Sequence, residues 1–328
     1  MNKHWSVFDA LKGMAMGMAE VVPGVSGGTI AFITGIYVRL IDAIKKLSGI
    51  PIGRLRKTGL KATWSYLDGN FLLTLGAGMA LGILVGVFGI TFLLEHYPAM
   101  LWGFFFGLII GSAIYIARQI EHWSAMEIIG LLFGIVVAYY ITIVSPVEGS
   151  KSAPFVFLSG MVAISALILP GISGSFILLL LGMYAFIIHS VKELITDQSS
   201  YAFFITFVFA AGCAFGLIVF SRFLSWLLHK YLAPTLAILT GFMLGSLNRI
   251  WPWRNPTLWL EDTTGELIQI LPPDISRDDY HIVQEMNVWP ANYEGTPYLF
   301  GTILCFFGGL MIVYWLGKYQ SGDGNGAA

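Results

Sequence analysis

Two short stretches decide the fold: Pro23-Gly24-Val25-Ser26-Gly27-Gly28 and Pro170-Gly171-Ile172-Ser173-Gly174-Ser175. Each interrupts a long apolar run. Gly13–Val38 is uncharged except for Glu20, and Ser152–Ile188 is uncharged over 37 residues. Proline removes a backbone donor and glycine favours a turn, so neither run continues as one helix. Each run reads as a re-entrant hairpin of two helices that enters and leaves a membrane on one side. The helical runs after the breaks are expected at Thr29–Val38 and Phe176–Ile188.

The two stretches belong to an internal repeat. Residues 13–37 align with 160–184 with 10 identities in 25, among them Gly13/Gly160, Gly35/Gly182 and Tyr37/Tyr184. Further on, at an offset of 134, Gly78-x3-Gly82 matches Gly212-x3-Gly216, and Gly107-x3-Gly111-Ser112 matches Gly241-x3-Gly245-Ser246. The offset is 13 smaller there than the 147 of the hairpins, which predicts a longer loop after the first hairpin. The first repeat, 1–150, comprises a hairpin at 8–46 and spans at 71–94, 97–118 and 127–147. The second, 151–320, comprises a hairpin at 152–190 and spans at 198–228, 231–250 and 295–317, with an insert at 251–297. A hairpin crosses the membrane zero net times and three spans cross three times. The second repeat therefore starts on the opposite side, and the repeats are inverted. Broken helices at matching positions of inverted repeats mark a secondary transporter. The fold class is an all-α polytopic membrane protein.

Composition agrees. Of the 328 residues, 56% are hydrophobic and 11% charged, against about 25% charged in soluble domains. Net charge is −1, which exerts no pull toward nucleic acid. Cys213 and Cys305 lie in apolar runs, which argues against a disulfide framework or a metal cluster. The first apolar run carries Glu20 and lacks a cleavage-type ending, so it is not read as a signal peptide. The tail 321–328 is expected to be an appended scar outside the fold. With the N-terminus in the cytoplasm, 13 of the 18 basic residues fall on the cytoplasmic side, including Arg39, Lys45, Lys46, Arg118 and Lys230. The C-terminus is then cytoplasmic as well. The insert is acidic and external. Within it, Thr257–Leu260 and Leu267–Ile270 flank Thr263-Thr264-Gly265 and read either as a β-hairpin or as a solvated loop.

Non-helical backbone at membrane depth must be buried in protein or line a wet cavity. The N–H groups at the two helix starts, with the hydroxyls of Ser26, Thr29, Ser173 and Ser175, would form an anion-binding concavity. The plainer reading is a packing break. Glu20 carries a coupling proton or cation, or makes a structural hydrogen bond, or pairs with Lys12. Its repeat counterpart is Leu167, so any role is asymmetric. Lys12, Arg39 and Arg118 are candidate headgroup contacts, with topology-setting snorkelling the plainer account of the arginines. The basic loop Lys45–Lys61 could hold anionic lipid, or simply follow the positive-inside rule. Arg249 could greet an anionic substrate, or snorkel as Arg222 does. The Gly-x3-Gly pairs read as helix contacts, and Tyr37 and Tyr184 as interfacial anchors. No nucleophile, two-carboxylate or metal-ligand pattern stands out, so no enzyme, metal or cofactor is expected.

The stretch Glu20–Thr29 followed by Gly35-Ile-Tyr37, and Leu169–Phe176 followed by Gly182-Met-Tyr184, resemble the paired signatures of the bacterial polyprenyl-phosphate (undecaprenyl-phosphate) translocase family of PopT type, formerly a domain of unknown function. Gly241-x3-Gly245-Ser246-Leu247…Trp251-Pro252-Trp253 resembles a third signature. The likeness extends to about Gln320. It implies a flippase of the bacterial inner membrane that returns undecaprenyl phosphate to the cytoplasmic leaflet for cell-wall (peptidoglycan) synthesis. The implied site is Pro23, Gly24, Ser26, Gly27, Gly28 and Thr29 with Pro170, Gly171, Ser173, Gly174 and Ser175, and Glu20 as the coupling candidate. The implied partners are a polyprenyl phosphate, membrane lipids and a coupling proton or sodium ion. An oligomer is compatible with the sequence, and a small-anion transporter or channel using the same helix starts is the rival reading.

Overall fold

The computed structural model describes residues 6–22, 25–47, 52–144, 149–261, 267–269 and 280–323. Pro23, Gly24 and much of the acidic part of the insert lie outside these. Thirteen α-helices occur among the described residues. In the first repeat these are α1 (Val7–Glu20), α2 (Gly27–Ile33), α3 (Tyr37–Leu47), α4 (Ile52–Tyr66), α5 (Gly69–His96), α6 (Pro98–Ala117) and α7 (Ala125–Ile143). In the second they are α8 (Ala153–Ile168), α9 (Gly174–Leu180), α10 (Tyr184–Thr196), α11 (Ser200–Lys230), α12 (Leu232–Ser246) and α13 (Leu299–Asp323).

Both breaks fall where the two stretches predict them. Beyond them, the expected runs Thr29–Val38 and Phe176–Ile188 are each divided in two. Gly35 and Gly182 take left-handed φ values of 71° and 64°. The N–H groups of Gly35 and Ile36 close back on the carbonyls of Phe32 and Ala31, and those of Gly182 and Met183 on Leu179 and Leu178. This is the glycine-terminated helix end called a Schellman motif. It turns α9 into α10 at 109°. The repeated Gly-x-Tyr thus marks a helix stop. The 13-residue difference in offset is also helical rather than a loop: α4 has no counterpart between α10 and α11.

Among the described residues five helices are long and apolar enough to cross a bilayer, namely α5, α6, α7, α11 and α13. α12 is shorter, at 15 residues. α11 runs past the expected end of its span to Lys230, and α13 continues three residues into the tail that was set aside.

Helix pairing follows the repeat. α1 packs along α5, and α8 along α11. Lipid offers no hydrophobic drive for helix pairing, so close packing of small residues has to supply it. Gly13 and Gly17 lie against the Leu75 and Met79 carbonyls, and Gly78 and Gly82 against those of Ala10 and Met14. Gly160, Gly212 and Gly216 repeat this against Phe209, Phe157 and Met161. The remaining pairs are exchanged between repeats. α6 pairs with α13 through Gly107 and Gly309, and α7 pairs with α12 through Gly134, Gly241 and Gly245.

The insert forms a small sheet in the order β2-β1-β3, with β1 (Arg254–Glu261) central between β2 (Leu267–Ile268) and β3 (Tyr280–Asn287). Of the two readings of this segment the strands are present, antiparallel with Trp259 opposite Ile268 and Leu260 opposite Leu267, while Thr263-Thr264-Gly265 lies outside the described residues. The third strand was not expected. Trp251 and Trp253 fasten the sheet to the helices by donating their indole N–H groups to the Val288 and Pro297 carbonyls, each at 2.9 Å.

Candidate functional site

The first loop ends in a well-capped helix. Ser26 has extended backbone ahead of α2 and accepts the Gly28 N–H at 3.1 Å, the usual geometry of an N-cap serine. The Gly27 N–H donates to Glu20 Oε1 at 2.7 Å. A carboxylate is favoured at a helix start. It fits because position 27 is glycine: a Cβ there would stand 2.6 Å from the same oxygen. Glu20 forms no ion pair with Lys12, so of its three readings the pairing is set aside. Lys12 is half-buried on α1.

The two loops meet. α8 ends just before Pro170, so its last carbonyls have no helical donor. Donors from the first repeat satisfy them. The Ser26 hydroxyl is 3.2 Å from both the Leu167 and Leu169 carbonyls, and the Tyr37 hydroxyl is 3.2 Å from that of Ile168. The Gly171 N–H donates to Thr29 Oγ1 at 3.1 Å. Gly28 is needed at this contact, since a Cβ would lie 2.6 Å from the Ile168 carbonyl. Gly171 has φ 84° and lies against the backbone of Met243 in α12. Ser26, Thr29, Pro170 and Gly171 are all buried. Tyr37, 2% exposed and tilted on Phe32, is therefore a loop-to-loop donor and not an interfacial anchor.

The second loop is built differently. Ser173 precedes α9 as Ser26 precedes α2, yet its side chain makes no cap bond to the helix. Its Oγ instead lies 2.9 Å from the Ser175 hydroxyl. Ser173 and Gly174 are buried and Ser175 is exposed. Where the first repeat has Glu20 against Gly27, the second has Leu167, whose Cβ would lie 3.3 Å from a Cβ at Gly174.

Arg39 is held by Asp68 at 2.7 Å and Asp9 at 3.3 Å, over the Phe71 ring. Arg118 is exposed after the end of α6. Sequence reading missed the acidic partners Asp9 and Asp68, which sit at ordinary surface spacing. It also missed the link of Asp42 and Lys45 to the buried Ser225 of α11, at 2.7 and 3.0 Å.

Beside the first loop, a cavity of about 550 Å³ opens between α1, α2, α5, α6 and α13. Its walls are almost wholly apolar, with Ala19, Ile30, Ile33, Phe104 and Leu108 among them.

Two Pro-Gly-x-Ser-Gly segments thus meet among membrane-spanning helices, beside an apolar cavity. The family described as undecaprenyl phosphate translocase-like matches residues 16–268, which include both loops. The chain belongs to this translocase-like family. A polyprenyl-phosphate transporter of Vibrio cholerae serotype O1 is 44% identical over 266 residues, covering 81% of this chain and 84% of the relative. A polyprenyl-phosphate transporter of Staphylococcus aureus is 32% identical over 265 residues, covering 76% of this chain and 88% of the relative. No solved structure matches the chain. Within the translocase-like family, then, the two loops and the helices that hold them form the matched region. The first turns of α1, strand β3 and all of α13 lie beyond it.

Proposed function

We propose that the protein flips undecaprenyl phosphate from the outer to the inner leaflet of the bacterial cytoplasmic membrane, returning the carrier for cell-wall synthesis. Both termini lie in the cytoplasm, and the 251–297 insert lies outside. No bond is made or broken in the lipid.

One observation carries the reading. The start of α2 is closed by a built-in acceptor, the Glu20 carboxyl group on Gly27, while the equivalent start of α9 faces Leu167 and has no side-chain cap. The repeat is therefore asymmetric at the one place where an incoming anion would act. The substrate phosphate takes at α9 the position that Glu20 holds at α2. The Ser173 and Ser175 hydroxyls and the Gly174 N–H supply its donors. Ser26, Thr29, Gly28 and Gly171 lock the two loops so that this half-site keeps its shape. The polyprenyl chain, which has no polar group to satisfy, occupies the apolar cavity beside α2 and leaves toward lipid. Glu20 is the candidate carrier of a coupling proton.

The test is reconstitution in vesicles carrying a leaflet-specific labelled polyprenyl phosphate. Protein-dependent reversal of the label, slowed in Ser173→Ala, supports the reading. Chloride or phosphate flux without lipid reversal would establish a small-anion pathway instead.

A further inference from the structure

At the insert-bearing end of α12 lies a charge cluster to which lipid transport gives no role. Arg249 and Arg254 both approach a single carboxylate oxygen, Glu285 Oε2, at 3.2 and 2.8 Å. The three side chains are 13%, 4% and 15% exposed. Two guanidinium charges against one carboxylate leave one positive charge in excess in a nearly dry place. An incompletely paired buried charge is costly to hold. Burial pushes Arg254 down to about 10, against the pull of Glu285, so it remains a cation at neutral pH.

The two arginines differ in what else they touch. Arg254 also donates to the Arg249 carbonyl and lies over the Trp102 ring at 4.2 Å. It sits on β1 beside β3, so its bond to Glu285 is part of the sheet. Its Nε is buried without a partner. Arg249 instead reaches toward the second loop. Its guanidinium carbon is 4.8 Å from the centre of the Phe176 ring. Phe176 follows Ser175 directly, in the first turn of α9.

We propose that Arg249 is the charged partner of a phosphate monoester bound at the start of α9, and that Glu285 of the insert is its exchangeable counter-ion. The inference rests on the transport reading and gives the insert a role in it. When the phosphate arrives, Arg249 passes from the carboxylate to the phosphate, and Glu285 stays with Arg254. Two guanidinium groups then face one carboxylate and one phosphate, and no positive charge is left in excess, since a phosphate monoester carries at least one negative charge. A planar guanidinium suits phosphate in a two-bond fork, which a lysine would not reproduce. Glu285 competes with the substrate, so the empty site is neither a bare buried cation nor a trap for stray anions.

The experiment uses the full chain in phosphatidylcholine nanodiscs, titrated with polyprenyl phosphate, the matching polyprenol and inorganic phosphate. Binding is followed by intrinsic tryptophan fluorescence, to which Trp102, Trp251 and Trp253 contribute. Arg249→Gln is expected to weaken polyprenyl phosphate about 10-fold or more, the loss of one hydrogen bond to a charged group. Glu285→Gln is expected to do the opposite and tighten it, because the competitor is gone. Glu285→Asp keeps the Arg254 brace, shortens the reach to Arg249, and gives the same direction if Glu285→Gln does not fold. Weakening in both Arg249→Gln and the Glu285 variants makes the cluster a structural brace and overturns the inference. Wild-type affinity in all of them, with Ser173→Ala still weakened, overturns the inference and leaves the transport reading standing. Inorganic phosphate bound with the same Arg249 and Glu285 dependence, without a preference for the lipid, keeps the phosphate site and removes the lipid reading. Binding of neither ligand by the wild-type protein overturns both.

Discussion

Thr29 and Gly171 join the two repeats at their breaks: the Gly171 N–H donates to the Thr29 hydroxyl at 3.1 Å, in a fully buried position. Thr29→Val keeps the shape and removes the acceptor. A buried donor left unpaired costs about 1–3 kcal/mol. Purified Thr29→Val in nanodiscs should melt measurably below wild type, with Thr29→Ser close to wild type. Equal melting of Thr29→Val and wild type would mean that the loops are held by other contacts.

The serines of the two loops should separate in kind. Ser173→Ala and Ser175→Ala each remove a hydroxyl next to the proposed phosphate, worth roughly 1.5–3 kcal/mol for a bond to a charged group. Each should weaken lipid-phosphate binding by about 10- to 150-fold. Their double mutant should be non-additive because the two hydroxyls touch each other. Ser26→Ala should instead lower melting temperature, since its hydroxyl is committed to the Leu167 and Leu169 carbonyls. A pure binding loss in Ser26→Ala would reverse this division of labour.

Glu20→Gln tests coupling apart from capping. The amide oxygen of glutamine still accepts the Gly27 N–H, so the variant should fold and flip lipid. Its flipping should no longer respond to an imposed proton gradient. A gradient response equal to wild type confines Glu20 to the cap.

The apolar cavity predicts a chain-length effect. Ala15 borders it, and Ala15→Phe would fill part of it. Transport of long polyprenyl phosphate should fall relative to a two-isoprene analogue in the same vesicles. Equal slowing of both lipids would place the long chain outside the cavity.

Topology can be read with single cysteines in a background lacking Cys213 and Cys305. Glu121→Cys, between α6 and α7, should be blocked only by reagents that enter the cell. Glu294→Cys, beside the sheet, should react with impermeant ones. Both positions are exposed. Labelling of both from the same side is incompatible with an odd number of spans between them.

Much of this architecture is legible in sequence because its signals are backbone signals. Pro170 and Gly171 end a helix wherever they occur, and an uncharged run long enough to span states its own length. The glycines at 107 and 241 announce close helix contacts, and the structure has them. The division of the hairpin arms at Gly35 and Gly182 was also written in the shared Gly-x-Tyr. It was misread because a single glycine near a helix end is compatible with continuation. What sequence could not give is which partner each polar group finds. Tyr37 looks like an interfacial aromatic until α8 ends with three carbonyls in reach of the first repeat. Asp9 and Asp68 are ordinary acids until Arg39 lies between them. The site shows the same limit: its residues and the Glu20/Leu167 mismatch are readable from the repeat, but where that mismatch acts appears only when Glu20 is seen on Gly27 and Ser173 on Ser175.

The exchange of helix partners has a consequence for biogenesis. α6 and α7 find their glycine-lined partners only in α13 and α12, which the ribosome delivers last. During synthesis the first half must wait in the bilayer with two helices unmatched. They are held by the translocation machinery or by lipid until the C-terminal helices arrive. A chain truncated after the first repeat therefore lacks the surfaces that complete it, and quality-control proteases would meet it as an orphan subunit. The same interlocking describes two identical half-length chains inserted in opposite orientations and clasped as a dimer, an arrangement that a later fusion of the two genes would make permanent.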